Sequence, residues 1–199
     1  MNRDQQILEA IYKHRYLRTD HIAEMFFKTI KNKEYRQKKA AARLRALHKQ
    51  KLLNRAKFPS EPYIHYIGAS KFSAKMMHYL AINDVYVAAT KNLPSGTVVL
   101  DYKIEYAQDN IQTDLYFLTE NKFTDTTKRY YIEVELDSSA SIENKIMSYE
   151  EFLMDMENEN KENAHLIIVY KNKRSLSDKQ FDIPVHFINL RNIEEWKWY

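Results

Sequence analysis

Apolar residues return every third or fourth position in the first part of this chain and alternate with polar ones in several later segments. Ile7, Leu8, Ile11 and Tyr12 lie at helical spacing behind the capping residue Asp4, which predicts a first helix ending near His14. Thr19 offers a second cap, and Ile22, Ala23, Phe26 and Phe27 share one face of a short second helix that stops near Lys28. From about Asn32 to Leu52 no breaker occurs. Rotation by ~100° per residue places Gln37, Ala40, Ala41, Leu44, Leu47 and His48 on one side, which is expected to pack. Tyr35, Lys38, Lys39, Ala42, Ala46 and Lys49 fall opposite, with Arg36, Arg43 and Arg45 on the flanks.

Residues 53–58 and 63–67 read as two short strands joined by the turn Pro59-Ser60-Glu61-Pro62. A helix is expected over 70–80 and a second over 81–87, capped by Asn83 or Asp84, before Leu93-Pro94-Ser95-Gly96 breaks the pattern. Residues 97–106, 114–119 and 129–137, rich in β-branched and aromatic side chains, predict a three-stranded meander. A helix over 142–156 carries the stripe Ile146, Tyr149, Phe152, Leu153 and Met156. The nearly unbroken apolar run 164–170 predicts a strand covered on both faces, and 185–189 a last short strand before a tail with Trp196 and Trp198. The fold class is therefore α+β. Three helices, the third basic, followed by a hairpin describe a winged helix-turn-helix over residues 1–68, and residues 69–199 describe an α/β domain with a mixed sheet.

Charge sharpens this division. The whole chain has 31 Lys+Arg against 27 Asp+Glu, yet residues 1–60 hold 16 against 5 and residues 61–199 hold 15 against 22. A basic first part points to a polyanion, and with a helix-turn-helix the polyanion is double-stranded DNA. The expected contacts are Lys33, Arg36, Lys38, Lys39, Arg43 and Lys49 on the third helix, with Tyr35 near base edges, and Arg55 and Lys57 on the wing. Ala42 and Ala46 leave room for close approach to a phosphate backbone. Most lysines should meet phosphates, while one or two arginines read guanine. The plainer alternative is a solvated surface helix.

The composition also removes chemistry. Two glycines, Gly68 and Gly96, are too few and too far apart for a Gly-rich phosphate loop, and without cysteine there is no disulfide, thiolate or Cys-based metal site. The histidines are dispersed without metal-ligand spacing. No apolar run approaches the ~20 residues of a membrane span, and the first residues lack a signal-peptide segment, so a cytoplasmic protein without membrane association is expected.

Glu133 and Glu135, two apart on one predicted strand, leave the same sheet face, and Asp114 on the preceding strand can join them. Three such carboxylates suit Mg²⁺, with Asp114 and Glu133 as ligands and Lys145 as a nearby cation; Asp114, Glu133, Glu135 and Lys145 are the candidate catalytic set. The alternation with Ile132, Val134 and Leu136 equally describes the solvent face of a half-buried strand. The α-β-β-β-α-β order with these acids resembles the PD-(D/E)xK nuclease-like core. From about residue 4 to 155 the chain further resembles the replication-relaxation family of plasmids and related mobile elements, through ARLRALHKQKLLNR, HYLAINDVYVA and YYIEVELDSSASIENKIMSYEEF. Glu133, Glu135, Lys145 and Tyr149 match the family's acidic pair and its Lys and Tyr.

That resemblance implies a winged helix joined to a degenerate nuclease-like domain. It departs from the family in having Thr113 rather than Pro before Asp114, and Glu135 where the catalytic Lys stands. The leading expectation is a sequence-specific double-stranded DNA-binding protein for plasmid replication, mobilisation or its transcriptional control. It would need no cofactor and would act as a homodimer. The alternatives are an Mg²⁺-dependent nuclease, and an adaptor whose acidic domain recruits a relaxase or replication protein.

Overall fold

Asn2, not Asp4, starts the first helix. In the computed structural model, the Asn2 side chain accepts from the Gln5 N–H at 3.0 Å and Gln5 Oε1 accepts from the Asn2 N–H at 3.0 Å. This reciprocal cap satisfies amides that a helix start otherwise leaves open, and it puts Asp4 inside the first turn of α1 (Arg3–His14). The structure describes residues 1–57, 62–68, 75–136, 142–154, 163–172 and 181–199. The chain divides into two compact units, Met1–Val87 and Ala88–Tyr199.

In the first unit, α1 is followed by the two-residue strand β1 (Leu17–Arg18), α2 (Thr19–Phe26) and α3 (Lys33–Lys49). Thr19 does not cap α2 with its side chain; its hydroxyl lies 3.3 Å from Tyr63 O and 3.1 Å from His65 Nε2. Asn32 caps α3 by accepting from the Tyr35 N–H at 2.9 Å. Ile7, Ile11, Leu17, Ile22, Ala23, Phe27, Ala40, Leu44, Leu47 and Leu53 form one buried cluster, so the expected inner face of α3 is the inner face. The helix stops at Lys49, short of Leu52, because Lys51 takes a positive φ of 60° and swings the chain so that Leu53 is buried and Leu52 exposed. The strands β2 (Asn54–Ala56) and β3 (Ile64–Tyr66) pair antiparallel, and β1 pairs with β3 on the other side, giving the order β1-β3-β2. Most of the hairpin turn, 58–61, lies outside the described residues.

A single helix, α4 (Met76–Lys91), stands where two were expected; the anticipated start at Ser70 lies outside the described residues. Asn83 and Asp84 are interior residues of α4, not caps. Asn83 Nδ2 donates to His14 O at 3.2 Å and Tyr16 O at 2.7 Å, while its Oδ1 lies 2.6 Å from His14 Nδ1. A buried amide must find such partners, and these assign α4 up to Val87 to the first unit. The two compact units thus meet at 87/88, where the sequence suggested a division at 68/69.

The second unit is built on a five-stranded mixed sheet of order β4-β5-β6-β7-β8. The meander β4 (Thr97–Gln108), β5 (Ile111–Asn121) and β6 (Thr126–Glu135) is antiparallel; β4 and β5 run past their expected ends, while β6 starts earlier than expected and stops at Glu135, short of the expected 137. Gln108 pairs with Ile111 across a turn that Asp109 makes with a positive φ of 49°. Gly96 opens β4 at φ 78°, where a Cβ would run into the Phe123 ring. The parallel strands β7 (Ala164–Tyr170) and β8 (Val185–Asn189) complete the sheet, and β7 lies between parallel neighbours, which accounts for its unbroken apolar run. Helix α5 (Ile142–Met154) buries Ile142, Ile146, Tyr149, Phe152 and Leu153 in a cluster with Tyr116, Tyr131, Leu166 and Ile168; Met156 lies outside the described residues. After β8 a 3₁₀ turn, Leu190–Glu195, leads into the tail. There Trp196 is buried and Trp198 Nε1 donates to Ala89 O at 3.0 Å. The fold is α+β, with one three-stranded and one five-stranded mixed sheet. Among the described residues no helix is long and apolar enough to cross a membrane.

Candidate functional site

The outer face of α3 presents Lys33, Tyr35, Lys38, Lys39, Ala42 and Lys49 to solvent, all exposed. Tyr35 stands half out of the surface at 51 % exposure, and Lys39 Nζ lies 5.1 Å from the centre of its ring. Lys38 pairs with Glu34 one turn earlier at 2.6 Å, a contact between two well-exposed side chains that adds little stability and leaves both groups in water. On β2 and just beyond it, Arg55 and Lys57 lie 4.9 Å and 6.0 Å from the centre of the Tyr63 ring, so both cations approach one aromatic of the hairpin.

The flanking arginines behave differently from one another. Arg36 is withdrawn from the outer face: its guanidinium is 12 % exposed and its Nη2 donates to Glu24 Oε1 on α2 at 2.5 Å. Arg36, expected among the DNA contacts, here ties α2 to α3. Arg43 keeps 46 % exposure and donates from Nε and Nη2 to the two carboxylate oxygens of Asp4. These hydrogen bonds hold the Arg43 guanidinium above its ordinary pKa. Arg45 donates to its own helix at Ala41 O, 3.3 Å away.

In the second unit the four predicted site residues do converge, but not on a solvent face. Glu133 and Glu135 are 2 % and 9 % exposed, beneath α5. Glu133 Oε1 accepts from the Tyr149 hydroxyl at 2.6 Å and Oε2 accepts from Lys145 Nζ at 2.7 Å. The same ammonium lies 2.5 Å from Glu135 Oε1 as an ion pair without hydrogen-bond alignment. Asp114 Oδ2 accepts from the Val134 N–H at 2.8 Å. Burial and the charge of Asp114 push Glu133 up to about 7 against the opposing pull of Lys145 and Tyr149. Burial would lower the Lys145 ammonium, but the two glutamates hold it above its ordinary value. Among the described residues no three His, Cys, Asp or Glu side chains form a group suited to a metal ion. The donor set does not fit Mg²⁺ as it stands: a cation held by Asp114 and Glu133 would have to displace the Lys145 ammonium from Glu133.

No family model, curated protein or solved structure matches the chain.

Sequence reasoning missed a second, half-buried polar cluster, in the first unit. Arg18 Nη1 donates to Asp84 Oδ2 at 3.2 Å and its Nη2 to Asp84 Oδ1, while Arg18 Nε donates to Asp20 at 3.1 Å. His21 Nδ1 accepts from the Arg18 N–H at 3.3 Å, which leaves Nε2 to donate to Asp84 Oδ1 at 2.9 Å. Burial works to raise the Asp84 carboxyl, but His21 and Arg18 hold it below its ordinary value. Every member is satisfied by its neighbours, so the cluster fastens α4 to the start of α2. Two dispersed histidines also meet in the second unit: His165 Nδ1 lies 3.2 Å from His186 Nε2, and burial lowers His165 to about 4. Nothing in their spacing of 21 residues marks them as neighbours; only the parallel pairing of β7 and β8 does.

Proposed function

We propose that the first unit is a winged helix-turn-helix that binds double-stranded DNA, with α3 as the recognition helix and the β2–β3 hairpin as the wing. The observation that carries this reading is the outer face of α3. There exposed lysines and a protruding tyrosine surround Ala42, so that a groove edge or phosphate backbone can come close to the helix. The unit supplies the matching field, with 18 Lys+Arg against 7 Asp+Glu over residues 1–87. Lys33, Lys38, Lys39 and Lys49 serve as phosphate contacts, and Arg55 and Lys57 steady the wing against backbone. The resemblance to the replication-relaxation family supports a role in replication, mobilisation or transcriptional control of a plasmid, with the acidic second unit recruiting a second copy, a relaxase or a replication protein.

Titrating a labelled duplex at several salt concentrations tests the reading. Affinity should fall with salt, with a log–log slope of about −0.9 per phosphate contact, and Lys38→Glu with Lys39→Glu should reduce that slope by about 2. A wild-type affinity indifferent to salt removes the proposal.

A second reading, a nuclease, draws on the convergence of Asp114, Glu133, Glu135 and Lys145 on one sheet face. Because the Lys145 ammonium already occupies the place between the two glutamates, supercoiled plasmid with Mg²⁺ should stay intact with wild type and Asp114→Ala alike. Nicking by wild type that Asp114→Ala abolishes would establish the nuclease instead.

A further inference from the structure

The Arg43–Asp4 pair bears directly on how such an interface would choose a sequence. A guanidinium has two usable edges. The side edge, Nε–H with one Nη2–H, is committed to the two oxygens of Asp4. The end edge, one N–H from each of Nη1 and Nη2, has the spacing that fits guanine O6 and N7 in the major groove. A carboxylate on the side edge fixes the plane of the end edge, and the entropy of ordering a long side chain is then lost in folding and not at the moment of binding.

The surroundings agree with that use. Arg43 faces a groove of about 600 Å³ whose lining includes Arg3, Asp4, Lys39, Ala42 and Ala46. Arg3 is held 5.0 Å over the Phe27 ring, so the groove carries three cations against the one carboxylate of Asp4, and its alanines leave space for a base edge. Of the other arginines on α3, Arg36 is half-buried against Glu24 and Arg45 turns back to its own helix. Arg43 alone among the described arginines of α3 is both exposed and held by a carboxylate.

We propose that Arg43 is the guanine-reading residue of the α3 interface and that Asp4 is its positioning residue. The proposal rests on the DNA-binding reading of the first unit and adds to it the base that is read. Asp4 has a double effect: it aims the end edge of Arg43 at a base, and its charge opposes the approach of a phosphate to the same guanidinium. Asp4 therefore weakens binding to DNA at large while sharpening the choice of site.

Selection from a pool of random-sequence duplexes tests this, using the full chain and the variants Arg43→Ala, Arg43→Lys and Asp4→Asn, with thermal melts to confirm that each is folded. The wild type should enrich a site with an invariant guanine. Arg43→Ala and Arg43→Lys should lose preference at that one position by about 5- to 100-fold and keep the rest of the site. Asp4→Asn should relax the same position and also bind random duplex more tightly than wild type. A merely structural role for Asp4 would weaken both kinds of binding together. An unchanged site for Arg43→Ala overturns the proposal, as does Asp4→Asn that keeps the guanine or weakens random and selected binding alike. A wild type that binds duplex with a steep salt dependence but enriches no site overturns it too, while leaving the DNA-binding reading standing. A wild type that binds no duplex at all overturns both.

Discussion

Glu133 is held between Lys145, Tyr149 and Asp114, so its charge at neutral pH is decided by a contest between burial and pairing. Burial and Asp114 prevail, taking it from an ordinary 4.5 to about 7. A carboxyl whose folded pKa is raised binds its proton more tightly in the native state than in the unfolded one. Its contribution to stability is thus fully present below about 4.5 and is lost as pH rises through about 7. Glu133→Gln removes the titration. Thermal melts between pH 5 and 8 should show the variant gaining on wild type as pH rises, and a constant difference across that range would refute the assignment. The sequence spaced Glu133, Glu135 and Lys145 correctly, but alternation alone described a strand with a wet outer face. What it did not contain is that α5 lies over that face, which turns exposed acids into a buried, lysine-bridged group.

At the scale of elements, α3 shows how far local rules carry. Asn32 is the residue whose side chain closes the helix start, so Asn32→Ala should lower stability by about 1 kcal/mol, read from the urea midpoint, while every proposed DNA contact stays in place. The two faces of α3 were legible because seventeen residues repeat one period and nothing interrupts it. The long strands of the meander were legible in kind but not in length, since polar residues at their ends still pair across the ladder. Two elements escaped for opposite reasons. β1 has only two residues, too few to show a period, and exists because β3 offers it partners. In α4 the polar pair Asn83-Asp84 imitates a helix start, whereas its side chains answer groups more than sixty residues earlier in the chain. Arg36 is a further case of long-range chemistry: its position on the helix flank was right, and only the location of Glu24 shows that it faces inward.

For the whole molecule, the net charge of +4 conceals units of opposite sign, since residues 88–199 hold 13 Lys+Arg against 20 Asp+Glu. Attraction to a polyanion should therefore depend on where a charge is changed and not on the total. Lys38→Glu with Lys39→Glu and Lys171→Glu with Lys197→Glu each remove the same charge, and all four lysines are exposed. Only the first pair should elute markedly earlier from heparin; equal shifts for both would mean that the basic unit does not act as a separate field.

The placement of the aromatic tail has a spectroscopic consequence. Both tryptophans of the chain, Trp196 and Trp198, belong to the second unit, where their indoles lie 5.8 Å apart and Trp198 meets Phe117 and Tyr130 edge-on. The first unit, with α3 and its groove, contributes only tyrosine and phenylalanine. Emission excited at the red edge of the indole band is thus a built-in, label-free reporter of the second unit alone. If duplex DNA binds the first unit as proposed, a change in this emission on adding it would mean that occupancy of one unit is felt by the other.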